Sequence, residues 1–60
     1  MELNRTYQHV HNATITFVPN DYTLSGVKGV QTQTFPGTKK QPKVTKVSYS
    51  NSYYDLWKQL

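Results

Sequence analysis

The side chains best suited to binding chemistry in this 60-residue sequence are those of five lysines. They are Lys28, Lys39, Lys40, Lys43 and Lys46. The stretch from Lys28 to Lys46 contains no acidic residue, so its local charge of +5 exceeds the net charge of +4 of the whole chain. A field of this sign attracts phosphate backbones and acidic protein surfaces. The sequence therefore predicts a cationic binding surface, and the competing interpretation is a solvated lysine loop.

Lysine and arginine differ in what they recognise on nucleic acid. A lysine ammonium is a point charge without the planar fork of a guanidinium, so lysine contacts phosphates more naturally than base edges. Arg5 is the only arginine, which leaves little capacity for bidentate contacts to guanine. We expect Arg5 to bind phosphate together with the five lysines. Gln31 and Gln33 could pair with adenine.

The sequence gives less support to metal binding and catalysis. His9 and His11 lie two residues apart, so in a strand both imidazoles would share a face and could reach one ion. No further ligand is near them in the sequence, and we expect two exposed histidines with no metal and no other cofactor. The sequence has three carboxylates. We assign Glu2 to the terminus, Asp21 to a turn and Asp55 to the start of a helix. With neither a thiol nor a glycine-rich phosphate loop, the chain is not expected to be an enzyme.

Most of the segments that must position these side chains are predicted to be strands. Residues 13–18 alternate between apolar and threonine side chains, as a half-buried strand does. A turn at 19–21 follows. Further strands are predicted at 3–10, 27–35 and 44–50. Residues 35–38, Phe-Pro-Gly-Thr, have the proline and the glycine of a type II turn, which places the neighbouring lysines at a loop tip.

The C-terminal residues change their period. Tyr53, Leu56, Trp57 and Leu60 have the spacing of one helix face. Ser52 suits the N-cap, Asp55 the first turn and Lys58 the last turn of that helix. We therefore predict an α+β fold: a small antiparallel sheet of three or four strands with a short C-terminal helix packed on one face. In that fold Trp57 belongs to the core and is not a platform on which bases stack.

Strands followed by a helix resemble, in architecture alone, the AP2-type and integrase arm-binding domains. Those domains bind DNA through a face of their sheet. No residue motif of either family is present in this sequence. The resemblance implies only that a small sheet of this size can bind a duplex.

Length and composition limit the core. Sixty residues are expected to form one small domain, 1–60, with little buried surface. Without cysteine no disulfide can stabilise it, so local structure or association with itself or a partner must do so. The lack of cysteine fits a reducing compartment, and no segment has the apolar length of a signal peptide or a membrane span. We therefore expect a cytoplasmic protein without a membrane partner.

These observations leave two functions open. The first is nucleic-acid binding through a lysine-rich strand–loop–strand surface that contacts phosphates, on DNA or on RNA. The second is a protein-interaction module, such as an inhibitor, an accessory subunit or a homodimer. A phage could encode such a module. Such a module would pair through an exposed strand edge with an acidic protein surface. Its anchors would be Tyr7, Tyr22 and Tyr54.

Overall fold

The computed structural model describes residues 1–60 and consists almost entirely of one antiparallel sheet. Its strands are β1 (Tyr7–His9), β2 (Asn12–Tyr22), β3 (Gly26–Gln33), β4 (Lys43–Ser50) and β5 (Trp57–Gln59). A 3-10 helix, Asn51–Leu56, separates β4 from β5. The order across the sheet is β4-β3-β2-β1-β5. The 3-10 helix therefore carries the chain from one edge of the sheet to the other.

This short connection requires the sheet to be strongly curled. Neighbouring strands lie about 4.8 Å apart, so the edges of a flat five-stranded sheet would be about 19 Å apart. A 3-10 helix rises about 2.0 Å per residue, so the connection spans only about 12–14 Å. The sheet therefore bends until β4 and β5 can be joined, and one of its faces becomes concave.

The two faces of the sheet have different compositions. Residues paired across strands share a face, and neighbours along a strand alternate between faces. The concave face, which we call the aromatic face, carries Tyr7, His9, Phe17, Tyr49 and Trp57. The convex face, which we call the lysine face, carries Lys28, Lys46 and Lys58, with Gln8, Thr16, Val18, Val30, Thr32 and Val44 among them.

The core lies beneath the aromatic face and is small. Its buried members are Tyr7, Phe17, Val27 and Trp57. The ring of Phe17 lies 5.3 Å from that of Tyr49 and 5.5 Å from that of Trp57, between centroids, which is within the range of favourable aromatic pairs. The hydroxyl of Tyr7 accepts a hydrogen bond from the backbone N–H of Glu2 at 2.7 Å. Tyr7 is therefore a buried core residue whose hydroxyl is hydrogen-bonded within the chain.

The predicted C-terminal helix is wrong. Trp57 is buried whereas Leu60 is 67% exposed, so the expected stripe does not lie on one face. The 3-10 helix has no side-chain cap, and Lys58 lies in β5 and not in a last helical turn. The fold is nearly all β, with five strands in place of three or four. The architectural resemblance to sheet-and-helix DNA-binding domains is lost with the helix. The structure also contains no helix whose length and apolar character would let it span a bilayer.

Backbone pairing with β1 explains why a strand forms at the C-terminus. A helix of about eight residues is marginal in water, and aromatic residues are moderate helix formers. Pairing with β1, by contrast, satisfies backbone groups along its open edge. The N–H of Val10 donates to the carbonyl of Leu56 at 2.8 Å, and that of Leu60 donates to the carbonyl of Thr6 at 3.0 Å. The same pairing moves the Trp57 indole into the core.

The predicted strands are largely confirmed, with different ends. The strand predicted at 44–50 is β4, and its side chains alternate as expected. The strand predicted at 13–18 is β2, which continues through Pro19 to Tyr22. Pro19 is tolerated because its nitrogen points to the side on which β1 has already ended, since β1 reaches only as far as Phe17. The turn after β2 accordingly lies at 23–25 and not at 19–21.

Gly29 is a residue of β3 that permits a very close approach to the neighbouring strand β2. A Cβ atom there would collide with the carbonyl oxygen of Val18 and would lie 2.7 Å from the Cα of Pro19. Because both are backbone atoms of a paired strand, we expect Gly29→Ala to lower the free energy of unfolding by about 3 kcal/mol or more. Urea unfolding followed by Trp57 fluorescence measures this change.

Gly37→Ala is the matched control for this prediction. At Gly37 a Cβ atom would meet nothing within 4 Å, but φ is 77°. We expect this substitution to cost only about 1–2 kcal/mol, the conformational penalty of the left-handed region. Equal unfolding midpoints for the two variants would contradict the close approach at Gly29.

Tyr49 couples the stability of the core to alkaline pH. Burial raises the pKa of its hydroxyl, and the neighbouring Tyr53 raises it further. The hydroxyl donates a hydrogen bond to Oε1 of Gln31. Above the ordinary tyrosine pKa of about 10, the unfolded chain loses this proton before the folded chain does, so stability falls as pH rises. Below that pH the contribution is constant.

We therefore expect Tyr49→Phe to make the loss of stability above pH ~10 shallower. Tyr22→Phe is the control because Tyr22 is 60% exposed, and it should leave the pH dependence as it is in the wild type. Urea unfolding at a series of pH values between about 8 and 11 measures both slopes. Identical slopes for Tyr49→Phe and the wild type would show that Tyr49 does not carry this dependence.

Candidate nucleic-acid interface

Two of the predicted lysines are neighbours on the lysine face. Lys28 pairs with Ser48, and Lys46 pairs with Val30, so the two lysines are diagonal neighbours on adjacent strands. Such positions are about 7–8 Å apart. Both side chains line an open hollow of about 410 Å³, together with Asn20, Gly29, Val47 and Ser48. The hollow has room for a phosphate group beside these two lysines.

A bulge in β2 shapes this hollow. Asn20 is the extra residue between the pairs Pro19–Gly29 and Asp21–Lys28, and a bulge bends its strand and increases the local twist. Asp21 is the carboxylate that the register places beside Lys28. Its Oδ1 accepts a hydrogen bond from the backbone N–H of Tyr22 at 2.9 Å, and it forms no ion pair with Lys28. The two lysines of the hollow therefore keep their charge available.

The loop between β3 and β4 holds Lys39 and Lys40 at the tip of the hairpin. The predicted type II turn is present: the N–H of Thr38 donates to the carbonyl of Phe35 at 3.3 Å, and Gly37 has a φ of 77°. The ammonium of Lys40 lies 5.4 Å from the ring centroid of Phe35, within the range of a cation–π interaction. The turn thus fixes two further cations at one end of the sheet.

Lys43 and Arg5 do not join this surface. Lys43 pairs with Gln33, which in turn pairs with Ile15 on the aromatic face, so Lys43 projects from the side opposite to Lys46. Arg5 precedes β1, and its Nε lies 3.3 Å from the carboxylate of Glu2 in the only ion pair of the structure. The structure therefore brings together Lys28 and Lys46, places Lys39 and Lys40 at the tip, and leaves the other two predicted residues elsewhere.

Lys58 is the cation of the lysine face that the sequence analysis missed. It pairs with Gln8, and this row continues across the sheet through Thr16 and Thr32 to Val44. The predicted helix had assigned Lys58 to a helix end. The signal that could have identified it is the alternation of an aromatic, a cationic and a polar residue at 57–59, which is typical of a strand.

The lysine face offers hydrogen-bonding groups but no aromatic ring within the sheet. Gln8, Thr16 and Thr32 supply an amide and two hydroxyls between the lysines. The residues considered for adenine recognition, Gln31 and Gln33, lie on the aromatic face, where Gln31 bonds to the Tyr49 hydroxyl. The chemistry of this face is therefore charge and hydrogen bonding, without the stacking platforms that bind single-stranded bases.

The two histidines are tied to each other and to the core. Nδ1 of His9 accepts a hydrogen bond from the backbone N–H of His11 at 3.1 Å. The ring of His9 packs edge-on against Trp57, with centroids 5.2 Å apart. The structure contains no group of three or more potential metal ligands. One imidazole nitrogen is thus already occupied, and the pair acts as part of the β1–β2 turn.

Comparison of the chain with protein-family models, with curated proteins and with solved structures gives no match. The function of this surface must therefore be argued from the residues themselves.

Proposed function

We propose that this protein binds a nucleic-acid duplex by its phosphates, through the lysine face and the tip of the β3–β4 hairpin. The observation that carries this proposal is that Lys28 and Lys46 both line one open hollow. Neither ammonium is within ion-pair distance of a carboxylate, since the only ion pair joins Arg5 to Glu2.

The electrostatic argument begins with the hairpin as a whole. Residues 26–50 contain all five lysines singled out above and no acidic residue. Solvated ammonium groups without an internal counter-charge gain most from a polyanion, because each phosphate that they neutralise releases a condensed counterion. The cytoplasmic location that the lack of cysteine favours would place this surface where nucleic acid is abundant.

Two features favour a duplex over a single strand. The sheet's aromatic side chains lie on the opposite face, so unpaired bases would find no ring on which to stack. Lysines contact the regularly spaced phosphates of a duplex without requiring a particular sequence. We therefore expect binding with little sequence preference.

A second candidate function, a protein-interaction module, is favoured by the position of β4 at the edge of the sheet. Of the tyrosines proposed as its anchors, Tyr22 is 60% exposed, Tyr54 is half-buried against the core and Tyr7 is buried. Of these three tyrosines, only Tyr22 could therefore contribute its side chain to an interface without rearrangement.

The proposal predicts a specific salt dependence. Neutralisation of about four phosphates gives a plot of log affinity against log salt with a slope of about −4. We expect the double substitution of Lys28→Ala and Lys46→Ala to reduce the magnitude of this slope by about 2, because each lysine contributes about one phosphate contact. Fluorescence anisotropy with a labelled DNA duplex at 50 to 200 mM salt measures both slopes.

Lys43→Ala is the matched control, because Lys43 lies on the same strand as Lys46 but on the other face. Its slope should stay close to that of the wild type. The proposal fails if the duplex does not bind at 50 mM salt, or if Lys43→Ala weakens binding as much as Lys46→Ala. Tighter binding to a single strand of equal length would contradict the choice of a duplex.

A further inference from the structure

The edge of β4 presents backbone groups that no other strand satisfies. β4 pairs only with β3, and the sheet ends there. Val44 is 64% exposed, and the neighbouring Lys43, Thr45 and Lys46 are exposed as well. An open strand of eight residues is a template on which an extended chain can form further hydrogen bonds.

The hydrogen bonds of the sheet identify which groups point outward. The N–H of Asn51 donates to the carbonyl of Ser25 at 2.8 Å, so the adjacent pair Ser50–Gly26 is a non-hydrogen-bonded pair, and bonding alternates from there along the strand. Tyr49, Val47 and Thr45 therefore bond to β3. The outward backbone groups belong to the alternate residues, which are Val44, Lys46, Ser48 and, next to the 3-10 helix, Ser50.

The other side of β3 confirms this alternation. The N–H of Thr34 donates to the carbonyl of Thr14 at 2.9 Å. In the register of β2 and β3 this makes Thr32 and Val30 the residues that bond to β2. The remaining residues of β3 bond to β4, as required. Val44, Lys46 and Ser48, which lie away from the 3-10 helix, therefore offer three N–H groups and three carbonyls to a partner.

We propose that this edge of β4 binds an acidic segment of another protein as an additional strand. The proposal goes beyond nucleic-acid binding and does not rest on it. Lysines on an edge strand normally discourage pairing with other strands. The same lysines favour a partner of opposite charge, because opposite charges directly across a strand pair are stabilising and like charges are destabilising. Lys46 projects from one face of the edge and Lys43 from the other.

The two faces of the sheet also define the pattern of the partner. Residues of an added strand that share the lysine face would lie beside Lys46, with Lys28 one strand further away. Residues on the other face would continue the apolar side chains of Val47 and Tyr49. The partner that fits is therefore an extended segment in which acidic and apolar residues alternate. A second copy of this chain fits less well, since it would bring two hairpins of charge +5 together.

Hydrogen exchange of the wild-type protein provides the first test. The probe is an acetylated octapeptide that repeats glutamate and valine four times. In the free protein, the amides of Val44, Lys46 and Ser48 should exchange rapidly, whereas those of Thr45 and Val47 should be protected. With saturating peptide, the exchange of the three outward amides should slow by about tenfold or more. No added protection at these three amides would overturn the proposal.

Val44→Pro provides the second test, because it removes one outward N–H without breaking a bond to β3. We expect it to weaken peptide binding by about fivefold, the value of one backbone hydrogen bond. Val44→Thr keeps the N–H and should bind within about twofold of the wild type. If Val44→Pro does not fold, the exchange measurement on the wild type still decides.

Two further results would contradict the proposal. A peptide of the same sequence with every backbone nitrogen methylated has the same charge but lacks the N–H groups that would bond to β4. Equal affinity for it would show that charge alone attracts the peptide. Sedimentation of the free protein as a dimer, with the three outward amides already protected, would show that a second copy occupies the edge.

Discussion

Trp57 lies where the first and last strands meet, and its packing holds the curled sheet together. Its indole contacts the rings of His9, Phe17 and Tyr49 at centroid distances of 5.2–5.5 Å, so it joins three parts of the chain that are distant in sequence. No disulfide or other covalent link connects the two edges of the sheet. Aromatic contacts and the backbone hydrogen bonds between β1 and β5 therefore keep the sheet curled. With only 4 buried hydrophobic residues in the core, few other contacts could replace them.

The curl of the sheet also determines which of its two faces is exposed to solvent. A sheet that buries one face beneath its own connection leaves the other without a layer, and in this chain the uncovered face carries Lys28, Lys46 and Lys58. Half-buried threonines and valines separate them, a composition that tolerates water and needs no second layer. The core contacts are thus concentrated on one side of a single sheet, and the exposed cations lie on the other.

The strands were predictable from local patterns, whereas the fold class was not. Alternation in 13–18 and 44–50 and the Pro36–Gly37 turn reflect short-range preferences, and these appear in the structure. The helix prediction failed because the spacing of Tyr53, Leu56 and Trp57 fits a helical period as well as a 3-10 turn that leads into a strand. The choice between them is made by β1, about fifty residues earlier in the chain. The grouping of Lys28 with Lys46 could be expected once the two strands were predicted to pair. The side on which Lys43 projects depends on the strand register, and the sequence of 27–35 does not show which of its faces is buried.

The pairing of β1 with β5 also has a kinetic consequence. β1, β2, β3 and β4 are joined by local hairpins, which close quickly because few residues separate their partners, whereas Tyr7 and Gln59 must find each other across nearly the whole chain. The four-stranded meander is therefore expected to assemble before β5 pairs with β1. Lys28, Lys46 and the hollow that they line belong to that early unit. Transient separation of β5 from β1 would expose aromatic rings while leaving the lysine face in place.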